Sequence, residues 1–167
     1  MRERARFFFR WAALFAILLI AGCASYQGIS DPFDSQSPRW QGRMAVKLYS
    51  DPPRTFSAQF DLQGGVDAGL LVFITPLGTT LATVQWGRQG ATLKADGETQ
   101  HYESLDELTR QVTGTELPVL SLFSWLQGNE SGSPGWQTDM QGLALGRLSA
   151  HRFFPLPAAD LKIILER

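Results

Sequence analysis

The chain has 167 residues, 44% of them hydrophobic and 19% charged, with a net charge of −1. That length suits one globular domain with a tail, and the balance excludes a disordered or collagen-like chain. The single Cys excludes a disulfide framework and any cysteine-rich metal site.

The N-terminus reads MRERARFFFRWAALFAILLIAGC, and the first 22 residues carry +3, so residues 23–167 carry −4. An acidic body with no basic run excludes a nucleic-acid partner. A basic start, the apolar run Trp11–Ala21 and the small pair Ala21-Gly22 have the layout of a secretory signal peptide over residues 1–22. The apolar run is well short of the ~20 residues a spanning helix needs. Cys23 follows at once, in Leu19-Ile20-Ala21-Gly22-Cys23, which resembles the lipobox of bacterial lipoproteins. That resemblance implies cleavage before Cys23 and an N-acyl diacylglyceryl group on it. With Ala24 rather than Asp in second place, it also implies sorting to the outer membrane. Residues 23–38 are then an acylated tether, polar and Pro-interrupted, and residues 39–167 the folded domain.

Met44, Val46 and Leu48 alternate with Ala45, Lys47 and Tyr49, a strand period. Asp51-Pro52-Pro53 turns the chain. Phe56, Ala58, Phe60 and Leu62 alternate with polar residues in the cleanest half-buried strand. Gly64–Asp67 turns it again. Leu70–Ile74 is apolar on both sides and predicts a central strand covered on both faces. Pro76-Leu77-Gly78 interrupts, Thr80–Trp86 resumes, and Ala91–Ala95 and Thr99–Tyr102 flank the hairpin signal Asp96-Gly97. Ser104 and Glu107 make a capping box ahead of Leu105, Leu108 and Val112 at helical spacing, and Gly114 ends that helix. Pro118 starts a second helix, Val119–Leu126, with little polar face, which must be covered on several sides or line an apolar cavity. Leu143–Leu148, His151–Phe154 and Leu161–Leu165 are weaker strand candidates. A meander, then helices, then strands predicts an antiparallel α+β fold.

Catalytic signatures are missing. His101 and His151 are the only histidines, and each suits an exposed or structural place. There is no nucleophile elbow, metalloprotease, calcium-loop or phosphate-loop motif, so an esterase is disfavoured. The excess is in large apolar side chains. Phe56, Phe60 and Leu62 are expected to look across at Leu70, Val72, Phe123 and Leu126 around an apolar space. Leu77, between Pro76 and Gly78, is either a packed turn residue or a leucine exposed for contact.

Cys23, Trp40-x-Gly42-Arg43, Ser57-Ala58-x-Phe60, Pro76-Leu77-Gly78-Thr79, Gly114-x-x-Leu117-Pro118-Val119 and Trp125-Leu126-x-Gly128 occur in one order. Together they resemble the LolB family of outer-membrane lipoprotein receptors, over roughly residues 19–128. The resemblance implies an unclosed antiparallel β barrel, a half-barrel covered by helices, with an internal apolar cavity. It implies a monomer on the periplasmic face of the outer membrane. Such a protein accepts acylated lipoproteins from the carrier LolA and inserts them, with no enzyme activity and no cofactor beyond the lipid on Cys23. The protruding, membrane-contacting Leu of the family maps onto Leu77, flanked by Pro76 and Gly78. Two departures stand out. Pro38-Arg39-Trp40 leads almost directly into Gly42, so the family's N-terminal helix is expected to be absent or very short. The segment after Gly135 is also short, so one or two strands are expected to be missing. The alternative is a non-enzymatic outer-membrane scaffold, or a binder of another apolar ligand.

Overall fold

Alternation along the first two strands builds the sheet. In the computed structural model, which describes residues 37–113, 117–130 and 133–166, β1 (Arg39–Leu48) pairs antiparallel with β2 (Arg54–Gly64). Cross-strand partners share a face. Val46 meets Phe56, Met44 meets Ala58, and Trp40 meets Leu62. The remaining strands are β3 (Gly69–Ile74), β4 (Thr80–Gly87), β5 (Gly90–Ala95), β6 (Glu98–Tyr102), β7 (Trp136–Asp139), β8 (Arg147–Arg152) and β9 (Ala159–Leu165). They form one antiparallel sheet in the order β6-β5-β4-β3-β2-β1-β9-β8-β7. The two edges, β6 and β7, do not pair, so the sheet stays unclosed. The signal segment, Cys23 and the tether up to residue 36 lie outside the described residues, as does any helix ahead of β1.

Gly42 explains the Trp40-x-Gly42-Arg43 motif. It pairs with Phe60 on one side and Leu165 on the other. A Cβ there would fall 2.1 Å from the Ile164 carbonyl oxygen. Glycine is what lets β9 approach β1. On the solvent face, Asp61 of β2 accepts from Arg39 Nε at 2.8 Å and from Gln41 Nε2 at 2.9 Å. Burial pushes the Asp61 carboxyl up, but the bonds from Arg39 and Gln41 and the Arg39 charge outweigh it and hold it below its ordinary value.

Two helices cover the other face: α1 (Leu105–Thr113) and α2 (Val119–Leu126). The capping signal forms, with Ser104 Oγ accepting from the Glu107 N–H at 3.1 Å and the Glu107 carboxylate accepting from the Glu103 N–H at 2.9 Å. α2 buries Val119, Leu122, Phe123, Trp125 and Leu126, as its sparse polar face requires.

Two expectations are corrected. β3 is central in the sheet, yet Leu70, Val72 and Ile74 are only half-buried, because the helices lie on one face alone. Leu143–Leu145 is a 3-10 turn, and the strand after it runs Arg147–Arg152. A short strand, β7, precedes them, in a span that the sequence pattern leaves unassigned.

Candidate functional site

The helices cover the apolar face unevenly. Around α2 the core is filled. Phe123 packs against Trp40 and Trp86 with ring centroids 5.7 and 5.9 Å apart, and Trp125 meets Trp136 at 6.2 Å. Phe60, Leu62, Phe123 and Trp125 are almost wholly buried. Between α1 and strands β1–β5 the face is not filled. An apolar hollow of about 370 Å³ opens there, lined by Met44, Val46, Leu48, Phe56, Leu71, Phe73, Leu81, Ala82, Val84, Leu93, Leu105, Leu108, Val112, Leu117 and Val119. Among the described residues, its polar lining is limited to Arg54, Thr55, Thr109 and Thr113. The volume lies in the ~300–1,000 Å³ range of small-molecule sites. Phe56, Leu81 and Val112 line the hollow and remain exposed, so they mark its open side.

The Thr75–Thr79 turn joins β3 to β4 at this open side. Phe73, Leu81 and Ala82, which flank it, all line the hollow. The turn is stiff: the Gly78 N–H donates to Thr75 O at 2.9 Å, the Thr75 N–H to Thr79 O at 2.8 Å, and the Thr79 N–H to Thr75 Oγ1 at 3.1 Å. Gly78 sits at φ +85°, a left-handed conformation that favours glycine, and Pro76 fixes its own φ. Leu77 at the tip is 94% exposed. Of the two readings of this leucine, the structure selects the exposed one.

The seven cavity candidates are not brought together. Phe56 lines the hollow. Phe60, Leu62, Phe123 and Leu126 belong to the filled core. Leu70 and Val72 face the other way, since they pair with Gln63 and Asp61 while Leu71 and Phe73 pair with Leu62 and Phe60. One residue of register exchanges faces, and the uniformly apolar Leu70–Ile74 run hid which face was which. The lining that sequence reasoning missed comes mainly from β1, β4, β5 and α1. The alternation Met44-Val46-Leu48 pointed to it.

The histidines lie elsewhere. His101 Nδ1 bonds Thr92 Oγ1 at 3.1 Å, and His151 Nδ1 bonds Asp160 Oδ1 at 2.5 Å. Among the described residues no helix is long and apolar enough to cross a membrane, and no group of His, Cys, Asp or Glu could hold a metal ion.

An unclosed antiparallel sheet, roofed by two helices over an apolar hollow with a leucine standing at its open side, defines an α+β half-barrel. Residues 37–152 match the family model described as outer membrane lipoprotein LolB. The chain belongs to the LolB family. It is 33% identical over 129 residues to the outer-membrane lipoprotein LolB of Ralstonia nicotianae, covering 71% of this chain and 61% of that one. The LolB of Shewanella loihica is 32% identical over 71% of this chain and 57% of its own length. That of Neisseria meningitidis is 33% identical over 71% and 63%. The chain's match thus spans about six-tenths of the length of these curated relatives.

Proposed function

We propose that this chain is an outer-membrane lipoprotein that accepts acylated lipoproteins from the periplasmic carrier LolA and inserts them into the outer membrane. The observation that carries the reading is the apolar hollow between α1 and β1–β5, open beside an exposed Leu77. The hollow serves as the acyl-binding cavity. Cys23, acylated after removal of residues 1–22, anchors the chain. Residues 23–38 tether the domain 39–167, which works as a monomer on the periplasmic face. The turn Pro76-Leu77-Gly78 meets the membrane.

Transfer of this kind makes and breaks no covalent bond, so it needs neither a nucleophile nor a cofactor. An acyl chain exchanges one apolar environment for another, at about 0.8 kcal/mol per buried methylene, and moves toward the site that buries it better. A single leucine contributes about 2 kcal/mol in lipid. That is too little to anchor the protein, which the acyl groups on Cys23 do, but enough to orient the open side toward the bilayer.

The test is crosslinking of the full chain to LolA and to an acylated cargo, with uptake of a fluorescent fatty acid measured in parallel. Both crosslinks and saturable uptake are expected. Cargo crosslinks without uptake would replace this reading by that of a surface-binding scaffold. A free thiol at Cys23 in membrane-purified protein would remove the anchor from it.

A further inference from the structure

We infer that the β8–β9 loop, residues 153–158, is a second lipid-contacting point, which with Leu77 sets the domain on the bilayer along one end of its sheet. The inference rests on the reading that the Leu77 end meets a membrane. The loop reads Phe153-Phe154-Pro155-Leu156-Pro157-Ala158 and holds no charged residue. Phe154 is 72% exposed and Leu156 77%, with Phe153 also exposed. The family-model match stops at residue 152, just before it.

Topology places this loop with Leu77. In an antiparallel sheet successive turns alternate between the two ends, so the β1–β2, β3–β4 and β8–β9 connections leave at the same end. Along the sheet the β3–β4 turn and the β8–β9 loop are four strand spacings apart, about 19 Å before curvature. Two points so spaced resist rocking in a way one leucine cannot. Between them the β1–β2 connection exposes Tyr49, an amphipathic ring suited to a membrane interface.

The loop is braced rather than slack. The guanidinium of Arg152, 1% exposed, donates from Nη2 to Pro157 O at 2.6 Å. The Tyr49 N–H donates to Ala158 O at 2.9 Å, and the Phe153 N–H to Gly135 O at 3.0 Å. Phe153 packs edge-on against His151 at 4.3 Å. Pro155 and Pro157 have no N–H to satisfy. Hydrocarbon penalises unpaired backbone groups, and the Phe153 N–H and the Pro157 and Ala158 carbonyls are paired in this way. A protein partner would offer charged and polar complements, and this loop has no charged side chain to meet them. For that reason the occupant is the lipid surface.

The experiment reinserts single cysteines into the full acylated chain at 77, 154 and 156, and at 66 and 145 as controls, each labelled with an environment-sensitive fluorophore. Val66 and Leu145 are exposed apolar residues at the opposite end of the sheet. The chain without an added cysteine is labelled in parallel. The vesicles are phosphatidylethanolamine and phosphatidylglycerol, with or without brominated acyl chains. A shift to shorter wavelength and quenching by brominated lipid are expected at 77, 154 and 156 and not at 66 or 145. Quenching at 77 alone would overturn the inference and leave the proposed function standing. Quenching at none of the three would overturn both. Equal quenching at all five would mean unspecific adsorption and overturn the two-point contact. A shift at 154 and 156 only when the carrier protein is added would give the loop to a protein partner instead.

Discussion

The same apolar face of one sheet behaves differently under its two helices. Beneath α2, the residues Phe60, Leu62, Phe123 and Trp125 fill the space, and each is nearly inaccessible. Beneath α1, the equally apolar Met44, Leu71, Phe73 and Leu93 surround a hollow of about 370 Å³. The difference lies in the helices. α2 carries Phe123 and two flanking apolar pairs, including Trp125, on eight residues. α1 buries Leu105, Leu108 and Thr109 and leaves Val112 exposed. A helix with short apolar side chains roofs a curved sheet without filling it. A close-packed interior admits few voids larger than a water molecule, so a hollow this size with an almost wholly apolar lining is available to an apolar guest.

The largest effect that tests this contrast is a carboxylate placed on each side of it. Phe60→Glu buries an unpaired charge in the filled core, which costs several kcal/mol and is expected to unfold the domain. Phe56→Glu, four residues earlier on the same face of β2, stands at the open side of the hollow. It is expected to fold and to lose fatty-acid uptake. Thermal melts and probe titrations of both variants decide this. If the two melt alike, the filled and hollow regions are not distinct.

Much of the architecture was legible because it rests on period. The β1–β6 meander follows alternation and turn residues, and α2 occupies the span that Pro118 and Gly128 delimit. The C-terminal strands were harder. β8 turns Leu148, Ala150 and Arg152 inward, and an inward arginine breaks the hydrophobic count that sequence reading relies on. β7 has only four residues. The site was half legible. The Leu77 turn followed from Pro76 and Gly78, whose φ preferences are local. The hollow did not, because it depends on how two helices share one face, and no local pattern encodes that. Large apolar side chains such as Phe60 and Phe123 are the ones that close-packing uses up.

Filling the hollow is the next test in size. Ala82 lines it and is incompletely buried. Ala82→Trp places an indole in space that no side chain occupies. Uptake of the fatty-acid probe is expected to fall at least tenfold. The melting temperature should move little, since the strain of overpacking a filled core, typically 1–3 kcal/mol, does not arise. A large loss of stability with uptake retained would mean that the hollow closes in solution.

Leu77 separates holding a guest from delivering it. Its side chain is almost wholly exposed, so Leu77→Glu should change stability by no more than about 0.5 kcal/mol, as for an ordinary surface site. The variant is expected to take up the probe and accept acylated cargo normally but to fail in releasing cargo to liposomes. Leu77→Ala should show a milder form of the same defect. Melting temperature and release, measured together, read the two properties independently. Full release by a stable Leu77→Glu protein would detach the turn from membrane contact.

The smallest expected effect distinguishes the β8–β9 end from the hollow by pH. Asp160 accepts from Tyr49 Oη at 2.7 Å and bonds His151 Nδ1. The Tyr49 bond first, then that of His151, holds the Asp160 carboxyl below its ordinary value against the opposing effect of burial. Donation to Asp160 holds the Tyr49 phenol above its own. A depressed carboxyl contributes stability that is complete above the unfolded value of about 3.9 and is lost as pH falls through the folded one. A raised phenol contributes stability that is complete below about 10 and is lost as pH rises through its folded value. The difference in melting temperature between the unsubstituted protein and Asp160→Asn should therefore be widest between about pH 5 and 9 and shrink toward pH 3. Among the described residues, the lining of the hollow has no carboxylate or imidazole. Uptake of an uncharged long-chain alcohol probe should accordingly stay level from pH 7 to about 4 while that margin begins to narrow. A stability difference that grows on acidification would reverse the sign of the Asp160 contribution. Uptake that declines along the same curve would show that the brace under the Phe153–Ala158 loop and the hollow under α1 respond as one unit.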